Sequence, residues 1–422
     1  MSTTTTASPA PAASAVPLPL RRSRTYWVWL VGDTGQALGS SIQFFLVPLI
    51  VVLVTGSTAA AGTIAALGLG GRIATTLVGG VLADRHDLRR MMVLSGVMAA
   101  VVMVAMLVAT RLELGIVVLA ALNLLAGVRA GLLGGASDAA LKQVVRPDLL
   151  PAASAANQAR DAAVSMGAPP LGGVLLGIGA VPALAATAAA YLVSAVGALA
   201  LRGDFRPAPV ADPGPVRAEV SAGLRWLWAR PELRRIMAVA LLLNLGLNAA
   251  IATLLYHLAT TGEDPARIGL VSTALGLGML LGATVAGPLV QRLPSGLVAT
   301  VGLSMAGLSM LALPFVPGFW PTLAVLTVSV LGAPAANAAV FSYLMHQTPR
   351  SVVGRVLSAV ELVGAGATPL APVLAGWGLA TLGLRPTLLV CAVICLLAVV
   401  AVASSRALRT LPRPDAWGAA AQ

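Results

Sequence analysis

The chain has 422 residues, of which 58% are hydrophobic and only 10% are charged, and its mean hydropathy is +0.91. Soluble domains carry about 25% charged residues, so this composition excludes that class and indicates a membrane protein. The net charge of +12 does not indicate nucleic-acid binding, because lysine and arginine concentrate in the cytoplasmic loops of membrane proteins. We therefore expect a lipid bilayer, and no nucleic acid, as a partner.

Twelve apolar runs follow one another along the chain. Each is long enough to cross about 30 Å of hydrocarbon, which takes about 20 helical residues. We number them as spans one to twelve: 27–54, 59–83, 91–110, 115–137, 157–178, 182–201, 234–256, 267–290, 297–315, 320–345, 355–380 and 385–404. They lack the alternation of apolar and polar residues that a β-barrel requires. The sequence therefore predicts an all-α membrane protein with twelve transmembrane helices.

The longest interior non-apolar stretch, 202–233, divides the spans into two sets of six. Its first part, RPAPVADPGPVRAEV, is typical of a flexible linker, and its second part, LRWLWARPELRR, suits an amphipathic segment at the membrane surface. The predicted organisation is a disordered tail, a six-helix bundle, a cytoplasmic linker with an amphipathic segment, a second six-helix bundle and a C-terminal tail. These units cover residues 1–20, 21–201, 202–233, 234–405 and 406–422.

The basic residues predict how the chain lies in the membrane. If the N-terminus is cytoplasmic, the outward loops hold only Arg111, Arg267 and Arg385, whereas the inward segments hold 21 of the 27 basic residues. Lysine and arginine favour cytoplasmic loops, so we expect a multi-pass protein of the cell membrane with both termini in the cytoplasm.

The two halves carry a related sequence at the same place. GGVLADR, at 79–85, has a weaker counterpart in AGPLVQR, at 286–292, which lies 207 residues further on. In both halves this stretch ends the second span. A parallel repeat of this kind is characteristic of transporters whose two bundles rock about a central site.

The stretch GGVLADRHDLRRMM resembles the loop motif of the major facilitator superfamily, Gly-x-x-x-Asp-Arg-x-Gly-x-Arg-Arg. The matching positions are Gly80, Asp84, Arg85, Arg89 and Arg90. Asp87 stands where the family usually has glycine. Four further stretches occur in the order found in the superfamily's drug-efflux branch of macrolide and enterobactin exporter-like proteins: LGSSIQFFLVPLIVVLVTGS, LLPAASAANQARDAAVSMGAPPLGG, GLRWLWARPELRR and TPRSVVGRVLS.

This resemblance implies the major facilitator fold and the export of a small hydrophobic or amphiphilic compound by proton antiport, with no cofactor beyond the proton. It also implies that Asp84 lies against the N-terminus of helix eleven and ties the bundles together. In span five, APPLGG stands for the family's Gly-Pro-x-x-Gly-Gly, with Pro169, Gly172 and Gly173 matching. An importer with the same fold, or a non-transporting membrane scaffold or receptor, remains the alternative.

Several ionisable residues lie within or at the edge of the spans: Asp33, Arg72, Arg129, Arg160, Asp161 and Glu361. Each costs roughly 2.5–3.5 kcal/mol in hydrocarbon, so such residues face partners, a cavity or water. Asp33 and Arg129 lie at similar depth, and in exporters of the resembling type a carboxylate on helix one and an arginine on helix four are associated with proton coupling. We therefore predict Asp33 as the proton carrier, with Arg129 setting its pKa and Glu361 as the second candidate.

Polar side chains within the spans are candidates for lining a substrate cavity, although hydrogen bonds between helices would also explain them. These candidates are Gln36, Gln43, Arg72, Asn244, Asn248 and Asn337. Cys391 and Cys395 share one helix face and suit packing, and no histidine cluster indicates a metal site. The chain lacks nucleotide-binding, HExxH and GxSxG motifs, so we expect no enzymatic activity. The resemblance implies a small-molecule substrate, and the apolar exterior fits a monomer or a weak dimer, of which we predict the monomer.

Overall fold

The computed structural model describes residues 23–206, 225, 228–348, 356, 360, 363–364 and 366–404. Within them the chain forms α-helices, two short 3-10 turns and connecting loops, and no described residue lies in a strand. The predicted all-α class is therefore confirmed. The predicted tails and most of the predicted linker lie outside the described residues.

Seven helices form the first half of the chain. They are α1 (Arg24–Thr55), α2 (Thr58–Arg85), α3 (Leu88–Arg111), α4 (Ile116–Leu133), α5 (Ala136–Val144), α6 (Leu150–Ile178) and α7 (Ala180–Ala200). Seven more helices have their bounds within the described residues of the second half. They are α8 (Pro231–Thr260), α9 (Pro265–Arg292), α10 (Ser295–Ala312), α11 (Phe319–Leu331), α12 (Ala333–Gln347), α13 (Leu370–Leu382) and α14 (Leu384–Ser404).

Within the described residues, eleven segments are long and apolar enough to cross a membrane, with α4–α5 and α11–α12 each forming one of them. The shorter helix α13 covers the last part of predicted span eleven, whose first residue lies outside the described residues. Span five was predicted to begin at residue 157, but α6 begins at Leu150. Arg160 therefore lies in the third turn of the helix and not at its start.

Short polar motifs set the helix ends. Gly56 adopts a left-handed conformation (φ +67°) that ends α1, and the Ser57 hydroxyl accepts a hydrogen bond from the Ala60 amide at 3.2 Å to cap α2. In the second half, an Asp264 oxygen accepts from the Ala266 amide at 2.9 Å and caps α9. The sequence TGS therefore reverses the chain between α1 and α2.

The repeat seen in the sequence is also present in the helices. Both α2 and α9 have 28 residues, and they begin and end 207 positions apart. Each packs closely on the fourth span of its own half. A Cβ at Gly127 of α4 would lie 2.7 Å from the Gly68 carbonyl carbon, and one at Gly278 of α9 would lie 2.7 Å from the Val330 side chain. The small-residue faces of α2 and α9 thus bring backbones together inside each bundle.

The helices alternate in direction, so their connections fall on two faces. We call the face with the connections at 86–87, 145–149, 201–206 and 293–294 the basic face, and the face with those at 56–57, 112–115, 179 and 261–264 the opposite face. Each half buries its own apolar core, and the core of the first half continues into Tyr256, Ile268 and Ala375 of the second. The two bundles therefore share a packed interface.

Candidate functional site: a cavity between the bundles and the contacts that close it

A cavity of about 460 Å³ lies between the two bundles. The first bundle contributes α1, α2, α4, α6 and α7 to its walls, and the second contributes α8 and α9. Its polar lining comprises Ser40, Ser41, Gln43, Arg72, Asn123, Arg129, Ser165, Tyr191, Asn248 and Ser272. Its apolar lining includes Phe44, Phe45, Ile251, Leu255 and Leu275. Ligand pockets commonly combine apolar walls with a few polar groups in this way.

Arg129 is the most constrained charged group in the cavity wall, with only 3% of its surface exposed. Its Nη1 donates to the Ser95 hydroxyl at 2.8 Å, and its guanidinium carbon lies 5.4 Å from the centre of the Tyr191 ring. Tyr191 in turn donates its hydroxyl hydrogen to Gln43 Oε1 at 2.6 Å. These contacts from α1, α3 and α7 hold the guanidinium in one position.

Three of the predicted cavity residues, Gln43, Arg72 and Asn248, line the cavity. The other three, Gln36, Asn244 and Asn337, are not among the residues that line this cavity. The Asn244 amide is exposed and donates to the Ala240 carbonyl of its own helix at 2.9 Å. The four lining serines were not predicted, because serine is common in membrane helices and only the direction in which it points separates these four from the others.

Asp33 does not pair with Arg129. Its Oδ2 lies 2.6 Å from Arg160 Nη1 of α6, an ion pair without hydrogen-bond alignment, and its Oδ1 accepts a hydrogen bond from the Ser137 hydroxyl of α5. Arg160 also contacts Asp161 Oδ1 at 2.7 Å. The side chains of Asp33 and Arg160 are 12% and 15% exposed, so the pair is largely shielded from water.

The predicted pairing of Asp33 with Arg129 is wrong because the two residues lie at different depths. Asp33 contacts Ser137, which follows Arg129 by eight residues, or about 12 Å along a helix, whereas Arg129 contacts Ser95 and Tyr191. The fourth span was predicted to end at residue 137, but α5 extends it to residue 144, so the count of turns from its end placed Arg129 too near the basic face. Glu361, the second proton-coupling candidate, lies outside the described residues.

The loop motif on the basic face has a structural part and an exposed part. An Asp87 oxygen accepts from the Arg90 amide at 3.1 Å and caps α3, with φ −62°, so no left-handed turn is needed where the family has glycine. Arg89 donates from Nε to the Ala198 carbonyl at 3.2 Å and from Nη2 to the Leu199 carbonyl at 2.5 Å, which caps the end of α7. Asp84, Arg85 and Arg90 are exposed.

The glycine of the loop motif does not make a close contact in this conformation. A Cβ at Gly80 would meet nothing within 4 Å, and the same is true of Gly287, which lies one repeat length of 207 residues after Gly80. The neighbouring Gly79 is the packed one, because a Cβ there would lie 2.8 Å from the Leu132 carbonyl oxygen. The expected partner of Asp84, the start of helix eleven, lies outside the described residues.

The helix-five motif joins the bundles in the half of the protein nearer the opposite face. A Cβ at Gly173 would lie 2.9 Å from the Pro265 carbonyl carbon of α9, and one at Gly269 would lie 2.5 Å from the Pro170 Cα and 2.8 Å from the Pro169 carbonyl oxygen. Pro169 also lines the cavity. Gly172 instead faces α1, where a Cβ would lie 3.3 Å from the Ile42 side chain.

A second inter-bundle contact, between α2 and α13, closes the same half of the protein. A Cβ at Gly62 would lie 3.0 Å from the Pro372 carbonyl carbon. The Thr58 hydroxyl donates to the Gly376 carbonyl at 2.9 Å, and Trp377 Nε1 donates to the Thr63 hydroxyl at 3.1 Å. These contacts lie near the opposite face, whereas Gly80 and Gly287, near the basic face, border open space.

The described residues do not bring together three or more histidine, cysteine, aspartate or glutamate side chains in an arrangement that suits a metal ion. Cys391 and Cys395 are buried free thiols in the core of the second bundle. The site that the structure describes is a cavity whose lining includes two arginines. The ion pair between α1 and α6 lies outside that lining.

Comparisons with known proteins agree with this architecture. Residues 14–418 match the family model described as a transmembrane secretion effector. The multidrug efflux pump Tap of Mycolicibacterium fortuitum is 29% identical over 385 residues, which cover 86% of this chain and 91% of that protein. The enterobactin exporter EntS of Salmonella typhimurium is 30% identical over 365 residues, which cover 80% of this chain and 85% of that protein.

Two solved structures share the fold at low sequence identity. The nucleoside transporter NupG has a TM-score of 0.72 at 11% identity, over 90% of this chain and 99% of that one. A bacterial homologue of the iron transporter ferroportin, in an inward-facing state, has a TM-score of 0.69 at 17% identity, over 90% and 98% of the two chains. With a family model that spans almost the whole sequence, this chain belongs to the transmembrane secretion effector family of major facilitator superfamily transporters.

Proposed function

We propose that this protein is a secondary active exporter of the cell membrane that moves a small amphiphilic compound out of the cytoplasm by proton antiport. The observation that carries the proposal is a cavity whose walls come from both bundles. Between this cavity and the opposite face, the two bundles are packed against each other. If the basic face is cytoplasmic, as its arginines favour, this conformation loads substrate from the cytoplasm. The names of the relatives Tap and EntS, an efflux pump and an exporter, favour outward transport.

The inter-bundle contacts suit alternating access because they depend on small residues and few hydrogen bonds. Glycine and proline backbones meet at Gly62, Gly173 and Gly269, so the two surfaces are smooth and can separate without withdrawing large side chains. Separation on the opposite face and closure on the basic face would expose the same cavity to the other side of the membrane. Gly80 and Asp84 are exposed and available to form the alternate contact.

Asp33 is the group that we assign to the proton. Its carboxylate holds α1 to α6 through Arg160, and protonation would remove that attraction. Arg160 would keep its contact with Asp161, so the cation would not be left unpaired in the membrane. Because α6 also carries the contact of Gly173 with Pro265, a change at Asp33 is mechanically connected to the closure of the opposite face.

Proteoliposomes with an imposed pH gradient test the proposal. We would measure accumulation of two fluorescent amphiphiles, rhodamine 6G and fluorescein, in vesicles that expose the basic face outward. An acidic lumen should drive accumulation of at least one dye, and a protonophore should abolish it. Equal dye accumulation with and without the pH gradient would exclude antiport. Accumulation driven only by an alkaline lumen would indicate proton-coupled import.

The variant Asp33→Asn separates coupling from transport. It should lose gradient-driven accumulation but retain exchange of labelled for unlabelled dye across the vesicle membrane, because the cavity is unchanged. Asp148→Asn is the matched control, since Asp148 forms an exposed pair with Arg146 at 3.1 Å on the basic face. Intact gradient-driven accumulation in Asp33→Asn would exclude Asp33 as the coupling residue.

A further inference from the structure

The charged residues among the described lining of the cavity are both arginines. Arg72 of α2 is exposed to the cavity, and its side chain forms neither a hydrogen bond nor an ion pair with any described residue. It lines the same cavity as Arg129, so both side chains place positive charge at the cavity wall. An unpaired cation at the middle of a membrane helix is costly, which indicates that it serves the cavity.

Arg129 also lacks a carboxylate partner. Its guanidinium contacts a hydroxyl and an aromatic ring, and its Nε is buried without a hydrogen-bond acceptor. No aspartate or glutamate is among the described residues that line the cavity, and Asp33 and Asp161 both pair with Arg160. The field in the cavity is therefore positive, and a buried donor at its wall is left without an acceptor.

We propose that the cavity selects an organic anion with an apolar body, whose acid group binds at Arg72 in the field of Arg129. A guanidinium presents several N–H donors that match a carboxylate, sulfonate or phenolate, and in a site of low dielectric such pairing is stronger than in water. The apolar body would lie against Phe44, Phe45 and Leu255. The inference rests on the proposed function for its cavity, and it adds the charge of the substrate.

Dye binding to the purified protein in phosphatidylcholine nanodiscs tests the charge preference without any gradient. Fluorescein and rhodamine 6G share a xanthene ring, but at neutral pH the first is an anion and the second a cation. After subtraction of partitioning into empty nanodiscs, fluorescein should bind more tightly. Arg72→Gln should weaken fluorescein binding about tenfold to a hundredfold, the range expected when hydrogen bonds to a charged group are lost, and should leave rhodamine 6G binding unchanged or tighter.

Two further variants keep the test decisive. Arg72→Lys retains the positive charge and should recover part of the fluorescein affinity. Arg111→Gln removes an exposed arginine at the end of α3, away from the cavity, and should change neither dye. The inference would be overturned if the unaltered protein bound rhodamine 6G more tightly than fluorescein. It would also be overturned if Arg72→Gln weakened the binding of both dyes equally and Arg72→Lys restored the affinity for neither. Gradient-driven transport of rhodamine 6G without fluorescein binding would overturn it and leave the proposed function intact.

Discussion

Replacing Gly269 with alanine should open the contact between the bundles on the opposite face. The new Cβ would lie 2.5 Å from the Pro170 Cα and 2.8 Å from both the Pro169 carbonyl oxygen and the Pro170 nitrogen. All three are backbone atoms of α6, so no side chain can rotate away. Ordinary contacts of a Cβ begin at 3.4 Å, and relief therefore requires α6 and α9 to separate by about 1 Å in a packed interface.

Overpacking of this kind costs about 1–3 kcal/mol. The cost applies only while the opposite face is closed, so it favours the conformation in which that face is open. A difference of that size changes the ratio of the two conformations by a factor of about 5 to 150. A protein that rests with this face closed should then populate the open conformation measurably.

Spin labels at Thr55 and Thr261, exposed residues of the two bundles on the opposite face, report the change as a distance distribution. Labelling would use a background in which the two native cysteines are replaced by alanine. Gly287→Ala is the matched control, because it adds the same methyl group to the same helix where nothing lies within 4 Å. If Gly269→Ala and Gly287→Ala both give the same distance distribution as the labelled protein without either substitution, the proposed role of the α6–α9 contact in closing this face is refuted.

Two further predictions concern the loop motif on the basic face. Arg89→Gln removes the charged donor to the last carbonyls of α7 and should lower thermal stability in detergent by the equivalent of about 1–3 kcal/mol. Arg90→Gln alters an exposed side chain and should leave the stability unchanged. Equal melting temperatures for the two variants would contradict the capping role of Arg89. Asp87→Ala removes the cap of α3 and should cost about 1 kcal/mol. Asp87→Asn should retain most of that stability, and a loss equal to that of Asp87→Ala would show that the aspartate stabilises the protein in another way.

The long apolar runs by themselves determined the fold class. In lipid, the backbone N–H and C=O groups must be hydrogen-bonded within the protein, and a continuous apolar segment achieves this by forming an α-helix. The repeat was also visible in the sequence, and it fixed equal lengths for α2 and α9. Local polar motifs set helix ends, as at Gly56 and Ser57. These features depend on residues near each other along the chain, which is why composition and spacing were sufficient.

The partners of buried charges depended on the tertiary structure. The sequence placed Asp33, Arg129 and Arg160 in the membrane, but the choice of Arg160 as the partner of Asp33 follows from the rotation of α1 and α6 about their axes, which spacing along the chain does not encode. The same holds for Gly79 and Gly80, adjacent residues of which only Gly79 is packed, since successive positions on a helix point about 100° apart. The order of residues along the chain determined which charges enter the membrane, whereas contact across the bundle was set by how the helices pack.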